Sequence, residues 1–225
     1  MYLIQPDTMK SERRCVQMCQ KPYTFSTYEQ LSEVVKQDED FVPVGSVEYV
    51  NEFARLNGIA IPDNITYPEE LLPFLKRNVW HDKFAHVNDE LFVKPAKTKI
   101  FTGGIKKALT EIVSPDEDVW VSDVIEIEAE FRYYVVNEKI VGKSRYDDGD
   151  DEVVPDDDIV QQIIKQYKNQ PAGYAIDVGI VKGETVLIEI NDGWALGYYP
   201  WGDCSNASYL ELITARWKQI RRQND

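Results

Sequence analysis

Two carboxylates and an amide, Asp177, Glu189 and Asn191, interrupt a stretch that otherwise reads as a buried hairpin, Tyr174 to Val181 and Thr185 to Asn191 about Lys182-Gly183-Glu184. A three-residue loop pairs Val181 with Thr185 and sets Asp177 opposite Glu189, with Asn191 two residues along on the same face. Carboxylates at a cross-strand distance of ~5 Å repel each other unless a cation or a proton sits between them. All three ligands are hard oxygens, which Mg²⁺ prefers. Their neighbours Ile176, Val178, Ile188 and Ile190 are apolar, so the trio is either a divalent-cation site or a solvent-facing edge.

A second hairpin carries the opposite charge. A two-residue turn at Asn137-Glu138 pairs Val136 with Lys139, which predicts Arg132 opposite Lys143 and Glu130 opposite Arg145. These four then share one face, and Phe131, Tyr133, Val135 and Ile140 the other. Facing cations destabilise a sheet by a few tenths to about 1 kcal/mol, and an anion seated between Arg132 and Lys143 reverses that sign. A solvated outer face is the plainer alternative.

The elements that must position these groups follow from hydrophobic spacing. Before residue 80, short strands (Tyr2-Leu3-Ile4, Phe41 to Val44) alternate with helices: one behind a Ser26/Glu29 capping box, one capped by Ser46, and one led by Pro68 with Leu71, Leu72 and Leu75. Such alternation implies a small parallel sheet. From Leu91 the strands lengthen and the turns shorten. Leu91-Phe92-Val93 leads into a glycine-containing loop, Pro95 to Gly104, and then a helical stretch at Ile105, Ala108, Leu109 and Ile112. Trp120 to Val136 reads as strand. Ile159, Ile163 and Tyr167 line one helix, and Leu210, Ile213, Trp217 and Ile220 line a carboxy-terminal one.

The whole is an α/β (α+β) chain of 225 residues, expected to divide into a unit over 1–79 and a second over 80–225. Lys plus Arg is 25 against 39 Asp plus Glu, a formal net charge of −14, which repels polyphosphate and makes nucleic acid a poor partner. Eight acids fall between Asp147 and Asp158; lacking the ligand spacing and closing Glu of a calcium loop, they read as a solvated loop and helix start. No apolar run approaches the ~20 residues of a membrane span, Met1 to Lys10 lacks a signal-peptide core, and three cysteines suit a reducing compartment. A cytoplasmic protein without membrane contact is the expectation.

Taken together, Phe92-Val93-Lys94-Pro95 before a glycine-bearing loop, Val119 to Val124 leading into Glu130-x-Arg132, and Asp177 ahead of Ile188-Glu189-Ile190-Asn191 resemble the ATP-grasp fold over about Trp80 to Tyr199. The resemblance is strongest to small ATP-grasp proteins whose last motif reads Glu-x-Asn-Asp-Gly-Trp, here Glu189 to Trp194. It implies a pre-ATP-grasp α/β domain ahead of the nucleotide-binding one. It also implies that Lys94 touches the nucleotide phosphates, that Val121, Ser122, Asp123 and Val124 form the adenine hinge, and that Glu130 holds the ribose. Lys97, Lys99, Thr102, Gly103 and Gly104 would cover the phosphates, and Asp177, Glu189 and Asn191 would bind Mg²⁺ on ATP. The loop Ala96 to Gly104 and the Ser122-Asp123 pair depart from the usual flap and hinge. The activity implied is an ATP-dependent carboxylate–amine ligase working through an acyl phosphate, with Arg132 and Lys143 as catalytic cations. Its substrates would be a small-molecule or peptide carboxylate and an amine. A kinase-like phosphotransferase and a nucleotide-binding module without turnover remain the alternatives.

Overall fold

Residues 1–7, 10–35, 40–148, 150 and 152–224 are described by the computed structural model. The chain opens with β1 (Tyr2–Ile4), α1 (Lys10–Met18), β2 (Tyr23–Phe25), α2 (Leu31–Val35), β3 (Val42–Val44) and α3 (Val47–Leu56). The three strands form the expected parallel sheet, in the order β2-β1-β3. Ser46 caps α3 by accepting from the Tyr49 backbone N–H, and Tyr49, Val50, Phe53 and Ala54 face inward at helical spacing. The cap expected at Ser26 lies one residue later: the Thr27 N–H donates to the Gln30 side chain at 3.0 Å, and α2 begins at Leu31. The Pro68-led segment is a short 3-10 helix, Glu69–Phe74.

A second, antiparallel sheet is built from β4 (Val79–Lys83), β5 (Phe92–Pro95), β6 (Gly104–Ile105) and, after the short α4 (Lys106–Leu109), β7 (Asp118–Ser122), in the order β4-β7-β5-β6. Val93, Val119 and Val121 face its own small core with Phe84 and Val113. The strand expected from Trp120 to Val136 is broken, because the chain leaves this sheet at Ser122 and enters a third one at Ala129. That sheet comprises β8 (Ala129–Val136), β9 (Lys139–Arg145), β10 (Gly173–Val181) and β11 (Glu184–Asp192), ordered β11-β10-β8-β9, with α5 (Asp157–Gln166) inserted between β9 and β10. Asp156 caps α5 by accepting from the Asp158 N–H at 2.9 Å, so part of the acidic run is a helix start. Gly149 and Asp151 of that run lie outside the described residues.

The third sheet is covered on both faces. Val160, Ile163 and Ile164 of α5 pack with Tyr133, Val135, Tyr174 and Ile176 on one side. On the other, Tyr134, Val136 and Ala175 meet α6 (Asn206–Asn224), whose Leu210, Ile213 and Trp217 also pack against β1, β3 and α3. The carboxy-terminal helix therefore joins the amino-terminal sheet to the sheet that carries the acidic trio. One buried ion pair pins it there. Arg216 donates from Nε and a terminal nitrogen to both Asp192 oxygens at 2.6 Å, with both side chains 5% exposed. Removing one partner of such a pair leaves an uncompensated charge worth about 3–5 kcal/mol. Arg216→Met is thus expected to lower the melting temperature by roughly 10 °C at ~2–4 °C per kcal/mol for a chain this size, and thermal denaturation of Arg216→Met and Arg216→Met/Asp192→Asn checks it: the double variant should recover part of the loss.

Candidate functional site

Asp177 and Glu189 do face each other across β10 and β11, by a different route from the one anticipated. The turn has two residues, Lys182 (φ 52°) and Gly183 (φ 75°), both in the left-handed region that tight hairpins require, so Val181 pairs with Glu184. That register alone would put Asp177 beside Ile188. A bulge between Val178 and Asp177 takes up Ile188 as the extra residue, and the pairing resumes as Asp177 with Glu189.

Arg77 holds this bulge. Its guanidinium donates to the Leu187 carbonyl at 2.9 Å and the Ile188 carbonyl at 2.8 Å, and lies 5.8 Å from the centre of the Tyr67 ring. The Thr66 carbonyl accepts from the Ile190 N–H at 3.0 Å one step further along. Without Arg77 two kinked carbonyls lose their donors, and the strand no longer has a reason to place Glu189 rather than Ile188 across from Asp177. Arg77→Ala is therefore expected to lose about 1–3 kcal/mol in stability. Chemical denaturation of wild type and Arg77→Ala checks it.

Cations surround the trio. Arg132, opposite Asp177 on β8, donates to both of its oxygens, from Nε at 2.8 Å and from a terminal nitrogen at 2.7 Å. Asn191 adds its amide N–H to Asp177 at 2.9 Å. Lys94 at the end of β5 donates to Glu189 at 2.8 Å, and Lys99 from the following loop donates to the Asn191 oxygen at 3.0 Å. Burial pushes the Asp177 carboxyl up while Arg132 opposes it; with donors on both oxygens the carboxylate form is the one that fits. For Glu189 burial also acts upward, but Lys94 and Lys99 outweigh it and hold the group below its ordinary value. Burial lowers the Lys99 ammonium. Burial acts on Lys94 in the same sense, but the attraction of Glu189 overcomes it and raises the group.

Two neighbouring clefts that share part of their walls open beside this cluster. The larger, of about 740 Å³, is lined by Lys94, Lys99, Thr102, Gly103, Glu189 and Asn191 among others. The smaller, of about 290 Å³, is bounded by Tyr67, Arg77, Ser122, Asp123, Val124 and Ile188. Phe92, Lys94 and Glu130 line both. Glu130 accepts from the Tyr146 hydroxyl at 3.3 Å, and burial raises its carboxyl. Lys94 lies between the Tyr67 and Phe92 rings, 5.3 and 5.7 Å from their centres. Of the expected hinge, Ser122, Asp123 and Val124 face the smaller cleft, whereas Val121 points into the core of its own sheet. The Asp123 carboxylate accepts from the Asn78 backbone and side chain at 3.1 and 2.8 Å, which ties the segment to β4. Gly104 pairs with Val93 and does not line either cleft.

The structure does not form the seat expected between Arg132 and Lys143. In β9 a bulge at Val141 shifts the register by one residue, so Ser144 faces Arg132, Lys143 faces Tyr133 and Arg145 faces Phe131. Gly142 permits it: at φ 155° it sits against Cys204, where a Cβ would collide with the Cys204 backbone. Lys143 then turns to the other face and pairs with Asp157 of α5 at 2.9 Å. It is a link between sheet and helix, remote from the acidic trio. Glu130 and Arg145 are likewise not opposite each other; Arg145 pairs with Asp147 at 2.7 Å.

Residues 74–212 match the sequence model of the ATP-grasp domain, R-2-K clade family 2. The chain belongs to this ATP-grasp family. The structure aligns with D-alanine–D-alanine ligase from Bacillus anthracis at a TM-score of 0.59 and 12% identity, covering 99% of this chain and 97% of that one. With the same enzyme complexed with ATP the TM-score is 0.60 at 13% identity, with the same coverage. At such identities the likeness shows the fold. No curated protein matches the sequence. The ATP-grasp fold expected from the motifs is thus the fold observed.

Two groups that the sequence reading of this ATP-grasp domain passed over are Arg77 and Glu12. Arg77 follows a 3-10 turn and carries no motif. Glu12 lies on α1, a polar helix that hydrophobic spacing did not reveal; it is 5% exposed and accepts from the Tyr198 N–H at 2.6 Å. Burial raises its carboxyl, with Arg132 pulling the other way. A Cβ on Gly197 would lie 3.5 Å from Arg132 and 4.0 Å from Glu12, so α1 and the segment after β11 close over Arg132 together. Among the described residues no helix is long and apolar enough to cross a membrane.

Proposed function

We propose that this ATP-grasp protein is a ligase that joins a carboxylate to an amine at the expense of ATP, through an acyl phosphate. The observation that carries the reading is the convergence of Asp177, Glu189 and Asn191, with Lys94, Lys99 and Arg132 on them, beside the larger cleft, whose wall includes Glu189, Asn191, Lys94 and Lys99. The adenosine portion suits the smaller cleft, with Ser122, Asp123 and Val124 along its wall and Glu130 where both clefts meet.

Among the described residues no three His, Cys, Asp or Glu gather as metal ligands, but two carboxylates and an amide oxygen fit Mg²⁺, which takes few protein oxygens and fills its remaining positions from phosphate and water. The three cations now on those oxygens are what a dication with its nucleotide would replace. Asp177, Glu189 and Asn191 would hold Mg²⁺, and the ion would supply charge neutralisation on the ATP phosphates.

The chain's own groups account for the rest. Lys94, freed from Glu189, is a compact donor at the phosphate end of the cleft. Lys99, Thr102 and Gly103 line the larger cleft and would exclude water from the phosphates there. A carboxylate oxygen attacks the γ-phosphorus as the bond to the β-phosphate oxygen breaks, giving ADP. The amine nitrogen then attacks the acyl carbon, its C–O bond to phosphate breaks, and the nitrogen releases a proton. Arg132, its guanidinium now held by Asp177 and the Gly197 carbonyl, is assigned to stabilise the anion that develops at the acyl phosphate.

Incubating the protein with ATP, Mg²⁺ and pools of carboxylic acids and amines tests the reading. Equal release of ADP and phosphate that requires both an acid and an amine supports it; ADP with a stable phosphorylated product means a phosphotransferase instead.

A further inference from the structure

A separate cleft of about 450 Å³ opens on the far side of the segment that covers Arg132. Its walls are Lys10, Arg14 and Met18 of α1, Tyr198 and Trp201 of the segment after β11, and Asn206 at the start of α6. We propose that this cleft docks an acidic peptide in extended conformation.

Three features point to that ligand. The first is charge: in a chain of net charge −14, α1 presents Lys10 and Arg14 to solvent, and neither is ion-paired with a described residue. The one acid of that helix, Glu12, is turned inward onto the Tyr198 N–H. A local cationic wall on an acidic protein attracts and orients an anionic ligand. The second is apolar surface: Trp201 is 69% exposed and Met18 59%, a flat aromatic and an adaptable thioether on one cleft. Trp201 is nonetheless fixed, donating from its indole N–H to the Arg145 carbonyl at 2.8 Å. The third is spacing. Lys10 and Arg14 are one helical turn apart, about 6 Å along the axis, and alternate side chains of an extended peptide are roughly 6.5–7 Å apart. Two carboxylates so spaced meet both cations.

A row of packed side chains links the wall of this cleft to the candidate site. Trp201 lies against Tyr199 with ring centres 6.0 Å apart, Tyr199 stacks on Tyr146 at 4.9 Å, and the Arg132 guanidinium sits 5.1 Å from the Tyr199 ring. On the ligase reading, on which this step alone rests, a docked peptide is the carboxylate substrate.

A fluorescein-labelled hexapeptide alternating aspartate and leucine, titrated by anisotropy, tests the docking. The comparisons are the same peptide with asparagine for aspartate, and a single-stranded oligonucleotide of equal charge. The acidic peptide should bind at least tenfold more tightly than either. Lys10→Glu/Arg14→Glu should lower its affinity tenfold or more while ATP affinity stays unchanged, and Trp201→Ala should lower it severalfold. Lys10→Gln/Arg14→Gln replaces the charge reversal if that variant does not fold. Equal binding of the neutral peptide or the oligonucleotide, no binding of the acidic peptide, or an unaltered affinity in the double variant overturns the proposal. Acidic-peptide binding that leaves ADP release unchanged upholds the docking and counts against the peptide as the carboxylate substrate.

Discussion

Arg132→Gln is expected to abolish turnover and to destabilise the nucleotide-free protein by about 3–5 kcal/mol, the cost of leaving one member of a buried pair alone. The stranded group is Asp177, 1% exposed and relieved of both guanidinium hydrogen bonds. At ~2–4 °C per kcal/mol for a chain of this size, the melting temperature should fall by roughly 10 °C. Had Arg132 faced Lys143, the same substitution would have relieved a repulsion and left the melting temperature level or raised. Because Asp177 is the partner, Arg132→Gln/Asp177→Asn should recover much of the stability and none of the activity. Thermal denaturation and ADP production on the two single variants and the double one form the cycle that isolates the pair.

Glu189→Gln has a comparable effect by a different balance. It removes one negative charge at nearly constant shape, so Mg²⁺-dependent turnover should fall by several orders of magnitude. Repulsion between the two carboxylates is also relieved, but Lys94 loses the group it is paired with at 2.8 Å. Lys94 is the more buried partner, 13% exposed against 24% for Glu189, so the loss dominates and the variant should be less stable than wild type at pH 7. The pH dependence carries the sign. Lys94 and Lys99 hold Glu189 below its ordinary carboxyl value, so its contribution is present above the unfolded value and disappears as pH falls through the lower folded one. Wild type and Glu189→Gln should therefore converge in melting temperature on acidification below the usual carboxylate range. A gap that stayed constant with pH would show that the Lys94–Glu189 pair contributes nothing.

Much of this was legible in the sequence, for physical reasons that also explain what was not. Ser46 announced α3 because a cap and an inward stripe at Val50, Phe53 and Ala54 act on the same short segment, although Tyr49 rather than the expected Val47 is its fourth buried residue. The trio was found because carboxylates among isoleucines are conspicuous, and its pairing was right through two errors that cancel: a turn one residue shorter than the spacing predicts and a bulge at Ile188. In β9 a single bulge at Val141 had nothing to offset it, and Lys143 moved to the opposite face. Bulges depend on what packs against the strand, here Cys204 on Gly142 and Arg77 on the Leu187 and Ile188 carbonyls, and neither contact is local in sequence. α1 went unseen because its buried residues are only Glu12, Cys15 and Val16, too few for a hydrophobic stripe. Of the hinge, alternation alone would have turned Val121 inward and Ser122 outward from it, which is what the cores show for Val121.

The most direct measurement is ADP production by wild type and Glu189→Gln across a Mg²⁺ titration, at saturating ATP with pools of carboxylic acids and amines present. The account predicts a saturable Mg²⁺ response in wild type that is absent from the variant at every concentration, while circular dichroism shows both folded. Near-normal turnover by Glu189→Gln at saturating Mg²⁺ would contradict it, removing Glu189 from the site and Asp177 and Asn191 with it.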